Sequence, residues 1–139
     1  MTSVQKRLVQ DSFVDVSKAA EPIGLLFYGR LFELDPSLRP LFGPDMRVQT
    51  RKLMSMLETV VSSLDRFDEM KPLLTNLGRR HSSEFHAKPQ HYETLRSALL
   101  WALGQALEQE FYPEVRAAWS AVIGAVNATM LESTEPQAS

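Results

Sequence analysis

The stretch "IGLLFYGRLFELDPSLRPLF", from Ile23 to Phe42, carries the clearest helical pattern in the chain. Leu25, Tyr28 and Phe32 recur at i, i+3 and i+7, which is the spacing of one face of an α-helix. The Asp-Pro pair at 35–36 then interrupts the apolar period, as prolines do at helix ends. This stretch predicts a helix with an inward-facing stripe, followed by a turn-rich link.

The same period continues through the 139 residues. Further apolar stripes are formed by Gln49, Leu53, Met56, Leu57 and Val60, by Leu74, Leu77 and His81, and by Leu95, Leu99 and Leu103. No segment alternates as a strand with hairpin turns does. Prolines stand near the starts of four segments, at Pro22, Pro72, Pro89 and Pro113. We predict an all-α fold of about six to seven helices, with one domain over residues 1–132 and a polar tail over 133–139.

Composition and charge exclude several classes of protein. The chain is 44% hydrophobic and 23% charged, as globular domains are, and its net charge of -2 argues against nucleic-acid binding. The longest apolar run, "ALLWAL", is too short to cross a membrane, and the N-terminal segment does not resemble a signal peptide. We therefore expect a cytoplasmic protein with no nucleic-acid or membrane partner. The absence of cysteine excludes thiol catalysis, iron–sulfur ligation and covalent c-type haem attachment.

Three histidines lie close together in the chain, at His81, His86 and His91. Neighbours five residues apart on a helix point about 140° away from each other, and Pro89 interrupts any helix between the last two. Metal-binding histidine pairs on helices usually stand at i, i+3 or i+4. A three-histidine metal site is therefore not expected.

Three polar residues lie on apolar stripes and are candidates for chemistry. His81 shares its stripe with Leu74 and Leu77, so its Nδ1 can donate to the carbonyl of Leu77 and leave Nε2 as a ligand. The alternative is a core histidine with neighbouring partners. Tyr28 and Gln49 are expected to face either each other or a ligand. The alternative for Tyr28 is a hydroxyl at the edge of the core. The alternative for Gln49 is a position at the solvent-facing start of its helix.

Four segments resemble a known family when they are taken in order. They are the stretch at 23–42, "QTRKLMSML" (49–57), "LGRRH" (77–81) and "HYETL" (91–95). Their order and spacing resemble single-domain bacterial globins, in particular the globin domain of flavohaemoglobins and the Hell's Gate globin type. The "LGRRH" segment is also similar to neuroglobin. The resemblance runs from about residue 4 to residue 131 and implies a three-over-three globin fold around a haem pocket.

The resemblance implies roles for individual residues around haem b. His81 is the expected proximal ligand of the iron, and Phe42 is expected to pack against the haem face. Tyr28 and Gln49 are the expected distal residues, with the Tyr28 hydroxyl donating to bound dioxygen. Leu53 closes the distal pocket. Leu77 is expected to contact the cofactor one turn before His81.

The cofactor is expected to need cations at its propionates, and its proximal side departs from the family in two places, the missing glutamate and a longer spacer. Lys52 and Arg80 are the best candidates to hold the haem propionates, with Arg47 and Arg51 behind them; the alternative is a solvated charged face. Tyr92 matches the tyrosine that backs the proximal histidine in flavohaemoglobins, but the matching glutamate falls on Pro136, with Glu132 and Glu135 nearby. In addition, the spacer from His81 to Tyr92 is one residue longer than expected, and His86 lies in it.

These roles predict a haem protein that binds O₂ tightly and that also takes NO or CO. Tight binding suits nitric oxide dioxygenation, and we expect a separate reductase because no flavin domain follows Ser139. The alternatives are a haem-based O₂ or NO sensor, an oxygen carrier without turnover, and a helical interaction module without a cofactor. We expect a monomer or weak dimer.

Overall fold

The computed structural model describes residues 1–85 and 87–132, and every regular element within these ranges is helical. The α-helices are α1 (Ser3–Lys18), α2 (Ala20–Leu34), α3 (Met46–Ser62), α4 (Phe67–Phe85), α5 (Pro89–Leu107) and α6 (Pro113–Glu132). Three 3-10 segments accompany them, at Pro36–Leu41, Leu64–Arg66 and Glu108–Glu110. The all-α prediction is confirmed. The predicted tail at 133–139 lies outside the described residues.

Short polar side chains and prolines define the helix ends. α2 ends before Asp35, whose carboxylate accepts the backbone N–H of Ser37 at 3.1 Å and so caps the following 3-10 segment. Pro89 and Pro113 are the first residues of α5 and α6. A proline is tolerated there because the N–H it lacks has no partner inside the helix.

Pro72 lies further inside its helix than the sequence predicts. α4 begins at Phe67, directly after the 3-10 segment Leu64–Arg66, and Pro72 is its sixth residue. The helix has therefore already started when the chain reaches the proline. The ring removes one early backbone hydrogen bond without ending the helix.

The buried face of α2 also differs from the predicted stripe. Leu25 is 62% exposed, so its assignment to the inward face is wrong. The buried line consists of Ile23, Phe27 and Leu31, with Tyr28 beside it at 5% exposure. Leu25 points about 160° away from Phe27 around the helix. The i, i+3, i+7 pattern was one of two apolar lines on this helix, and the other one faces the core.

The core lies where α1, α2, α5 and α6 pack together. α2 crosses α5, while α1 and α4 both pack against α6. Trp119 of α6 is 1% exposed, and its indole N–H donates to the Ser12 hydroxyl of α1 at 2.8 Å. Among the described residues, α3 and α4 share no comparable interface. These two helices thus face each other across a gap at one side of the core.

The crossing of α2 over α3 is set by Gly24. A Cβ atom built at this position would overlap the side chain of Thr50, which is itself buried at 8% exposure. Only a glycine lets the two backbones approach this closely. The contact determines which residues of α2 and α3 lie side by side.

None of the described helices combines the length and the apolar character needed to cross a membrane.

Replacing Gly24 with alanine is expected to destabilise the fold by about 1–3 kcal/mol, because the new methyl group must displace Thr50 or part the two helices. Urea denaturation followed by circular dichroism measures the change. Adding Thr50→Ala is expected to restore part of the loss.

Gly29 provides the matched control in the same helix. A Cβ at Gly29 meets no atom within 4 Å, so Gly29→Ala is expected to stabilise the protein by about 0.5–1 kcal/mol through helix propensity alone. Equal effects of the two substitutions would show that the α2–α3 crossing is not tightly packed.

Candidate functional site

A cleft of about 490 Å³ separates α3 from α4. Apolar side chains from both helices line it, among them Met56 and Val60 of α3 and Met70, Leu74 and Leu77 of α4. Arg51 and Lys52 add two cationic side chains from α3. Because the short segment Leu64–Arg66 joins the helices, the start of α3 and the end of α4 lie at the same end of the cleft. The volume is within the range of about 300–1,000 Å³ that is usual for ligand pockets.

His81 lies on α4, one turn after the cleft-lining Leu77. Its Nδ1 is 2.7 Å from the Leu77 carbonyl oxygen, as the sequence predicts. A carbonyl only accepts, so Nδ1 carries the proton and the neutral ring has its lone pair on Nε2. The ring is half-buried, whereas Arg79 and Arg80 are exposed. The predicted hydrogen bond of His81 is therefore confirmed, and the ring is oriented by its own helix.

Tyr28 and Gln49 are neighbours across the α2–α3 crossing. The Tyr28 hydroxyl donates to the backbone carbonyl of Gln49 at 3.1 Å. Burial raises the pKa of the Tyr28 hydroxyl to about 12, so the group stays protonated at any ordinary pH. The Gln49 amide lies beside Gly43, where a Cβ would stand 2.9 Å from Nε2. Tyr28 is thus a buried hydrogen-bond donor whose present acceptor is main-chain oxygen.

Phe42 completes an aromatic cluster with Tyr28. Its ring centroid is 5.4 Å from that of Tyr28 and 5.7 Å from that of Phe32, both in tilted or edge-on arrangements. Such pairs add stability beyond the burial of their area. Phe42 is half-buried and follows the 3-10 segment directly. The cluster holds the link between α2 and α3 against the Tyr28 side chain.

The cationic candidates differ in their positions. Lys52 and Arg51 line the cleft, while Arg47 and Arg80 are exposed and are not part of its lining. Among the described residues, none of the four forms an ion pair. Leu53 is half-buried and packs against the core, outside the cleft lining.

Tyr92 lies on α5 and is 3% exposed. Burial raises the pKa of its hydroxyl, which has no hydrogen-bond partner among the described residues. It therefore does not join Glu132, which is exposed at the end of α6. Pro136 and Glu135, named with this site from the sequence, lie outside the described residues.

Two of the three histidines, His81 and His91, have different partners. The Nδ1 of His91 accepts the backbone N–H of Lys88 at 3.0 Å, and its Nε2 lies 3.9 Å from an Asp35 carboxylate oxygen. His86 lies outside the described residues. Within those residues, no group of three histidines or carboxylates is arranged to hold a metal ion.

The structure thus brings the predicted site residues into two groups. Tyr28, Phe42 and Gln49 meet at the α2–α3 side, and His81 meets Leu77 on α4. Of the predicted site residues, Lys52 and Leu77 line the cleft from opposite helices. The others are outside its lining: Tyr28, Phe42, Gln49, Leu53, Arg80, His81 and Tyr92. Sequence reasoning missed Met70 and Leu73 in the cleft and the Gly24–Thr50 contact. A glycine inside an apolar helix was the available signal for that contact.

Comparisons with known proteins agree with this architecture. Residues 25–130 match the globin family. A neuroglobin from Tetraodon nigroviridis is 31% identical over 94% of this chain and 90% of its own length, and one from Danio rerio is 28% identical with the same coverage.

A solved bacterial globin from Campylobacter jejuni has the same fold, with a TM-score of 0.82, 18% identity and 95% coverage of both chains. The predicted globin fold is confirmed by this likeness. The chain therefore belongs to the globin family, which implies haem binding and supports haem-based gas binding.

Proposed function

We propose that the chain holds haem b in the cleft between α3 and α4, with His81 as the axial ligand, and that it binds O₂ tightly for the dioxygenation of nitric oxide. The observation that carries this proposal is the His81 Nδ1 contact with the Leu77 carbonyl at 2.7 Å. It orients the ring and places the proton on Nδ1, so that Nε2 is the nitrogen whose lone pair can bind a metal ion, as metal-binding histidines require.

The residues present suit a flat apolar group with acidic substituents. The cleft walls are mainly aliphatic, which matches a porphyrin ring. Lys52 and Arg80 carry positive charge and form no ion pair among the described residues, so both can neutralise propionates. Leu53, Leu77 and Phe42 supply further apolar contacts. One histidine nitrogen is enough to anchor an iron whose other ligands come from the cofactor itself.

Bound haem supplies an iron that coordinates O₂ and exchanges single electrons with it. The role of Tyr28 is to present its hydroxyl proton inside a buried aromatic cluster. Burial raises the pKa of this hydroxyl to about 12, which keeps it a neutral hydrogen-bond donor. To reach a bound gas molecule the hydroxyl must leave the Gln49 carbonyl, which it now contacts at 3.1 Å.

Gln49 stands next to Tyr28 and offers a second polar group. Its amide is at the end of a flexible side chain beside Gly43, and it is a weak ligand for iron. In the proposed arrangement Gln49 would therefore not compete with a gas molecule for the iron. The Tyr28/Gln49 pair is the feature that resembles flavohaemoglobins and the Hell's Gate globin type, and it supports tight O₂ binding.

Nitric oxide dioxygenation combines NO, O₂ and one electron to give nitrate. The electron is supplied by a separate reductase in this proposal. A cytoplasmic monomer or weak dimer suits such a role.

Reversible O₂ binding without turnover is the second candidate function. The observation that favours it is the Tyr92 hydroxyl, which is buried and has no hydrogen-bond partner among the described residues. In flavohaemoglobins the matching tyrosine and a glutamate back the proximal histidine and support O–O chemistry. A Tyr92 without that glutamate favours O₂ binding without turnover.

His81→Ala is expected to weaken haem retention by about tenfold or more, because it removes the axial ligand. Soret absorbance after haem addition and gel filtration measures the loss. External imidazole is expected to restore the spectrum of the His81→Gly variant. His91→Ala is the matched control, since His91 contacts Lys88 and Asp35 instead. A normal spectrum for His81→Ala would refute the axial assignment.

Tyr28→Phe is expected to accelerate O₂ release about 10- to 100-fold, because a buried hydroxyl donor to the gas molecule is lost. Stopped-flow displacement of O₂ by CO measures the rate. Tyr112→Phe is the control at an exposed position. An unchanged rate would mean that the Tyr28 hydroxyl stays on the Gln49 carbonyl when the gas is bound.

Rapid mixing of the ferrous, O₂-saturated protein with NO can exclude dioxygenation. Dioxygenation predicts one nitrate per haem and a ferric spectrum within the mixing experiment. If NO instead displaces O₂ and no nitrate forms, the carrier function replaces dioxygenation.

A further inference from the structure

Basic side chains cluster in two stretches of the helices that form the cleft. Residues 46–57 of α3 and 70–83 of α4 contain no carboxylate, although Glu58, Asp68, Glu69 and Glu84 lie elsewhere on the same helices. The two stretches carry six basic side chains, all exposed: Arg47, Arg51, Lys52, Lys71, Arg79 and Arg80. In a chain of net charge -2 these two stretches are therefore positively charged.

Five of these side chains belong to the helix ends at one end of the cleft, and two of them, Arg51 and Lys52, line it. We call Arg47, Arg51, Lys52, Arg79 and Arg80 the basic rim. The first three are at the start of α3 and the last two are near the end of α4, and these two ends adjoin because the helices run in opposite directions from the short link between them.

The basic rim is not neutralised within the described part of the protein. None of its members forms an ion pair there, whereas Lys71, at the other end of the cleft, pairs with Asp68 at 3.1 Å. The preceding carboxylate, Asp45, accepts the backbone N–H of Arg47 at 3.0 Å and caps α3. The rim side chains therefore remain available to an external acidic group.

The proposed cofactor does not account for all of this charge. Haem b has two propionates, which two of the five cations suffice to neutralise. The other three remain in excess at the same helix ends. Unpaired like charges kept together on a surface raise the local concentration of an oppositely charged partner and speed its association.

We propose that the basic rim is the docking surface for an acidic electron-donor protein, and this inference rests on the proposed function. Docking at the rim brings the donor to the edge of the cleft, which is where an electron for the cofactor has to enter. The step transfers one electron: the donor is oxidised by one electron, ferric iron becomes ferrous, and no bond forms or breaks.

The test uses an acidic plant-type [2Fe–2S] ferredoxin as the donor and the full haem-loaded chain as the acceptor. The variant Arg47→Glu/Arg79→Glu reverses two rim charges without touching Lys52, Arg80 or His81. The control Arg7→Glu/Arg116→Glu makes the same charge change at exposed positions on α1 and α6. Calorimetry with oxidised ferredoxin measures binding, and stopped-flow spectroscopy measures reduction of the ferric protein.

At about 0.01 M ionic strength, we expect the rim variant to bind ferredoxin about tenfold more weakly than wild type. We also expect ferredoxin to reduce it about tenfold more slowly. The control variant should change both by less than about twofold. The difference should vanish near 1 M salt, where the screening length is about 3 Å. Dithionite at high salt should reduce all variants at equal rates, and Arg47→Gln/Arg79→Gln should show a smaller loss.

Equal losses in rim and control variants, or rates independent of salt, would overturn the docking surface while leaving haem binding intact. Salt-dependent binding of duplex DNA as tight as that of ferredoxin would also overturn it. Absence of a Soret band in the wild-type chain would overturn the proposed function first, and the docking inference with it.

Discussion

The close approach of α2 to α3 at Gly24 is the constraint on which the site depends. Because the two backbones nearly touch at Gly24 and Thr50, the next turn of α2 places Tyr28 directly beside Gln49. The same approach brings the aromatic ring of Phe42 onto Tyr28. On the other side of α3 a cleft separates it from α4, the helix that carries His81. Close packing on one side of α3 and open space on the other together define the site.

Local chemistry explains why the helices and His81 could be predicted from the sequence. Apolar periodicity and the prolines at 89 and 113 located the helices, and the stripe shared with Leu77 oriented His81 inward. The hydrogen bond of His81 lies within one helical turn, so no knowledge of the tertiary structure was needed. Leu25 shows the limit of this reasoning, since α2 has two apolar lines and only packing against α5 and α3 selects one.

Contacts between helices far apart in the chain could not be read from the residues alone. The carbonyl of Gln49 is a backbone acceptor, so no sequence pattern identifies it as the partner of Tyr28. The roles of Lys52 and Arg80 depend on whether each side chain reaches the cleft, and of the two only Lys52 lines it. Family resemblance predicted the pairing of Tyr28 with Gln49, whereas the fold identifies the acceptor atom.

The single proton of the Tyr28 hydroxyl has a consequence for selectivity among diatomic gases. It cannot be donated to the Gln49 carbonyl and to a bound gas at the same time. The free energy gained from the hydrogen bond to the gas is therefore reduced by the loss of the hydrogen bond to the carbonyl. A strongly polarised molecule such as O₂ can compete for the proton, whereas a weak acceptor such as CO leaves it on the carbonyl. In the proposed site, the main chain of α3 thus sets a polarity threshold that an incoming ligand has to exceed.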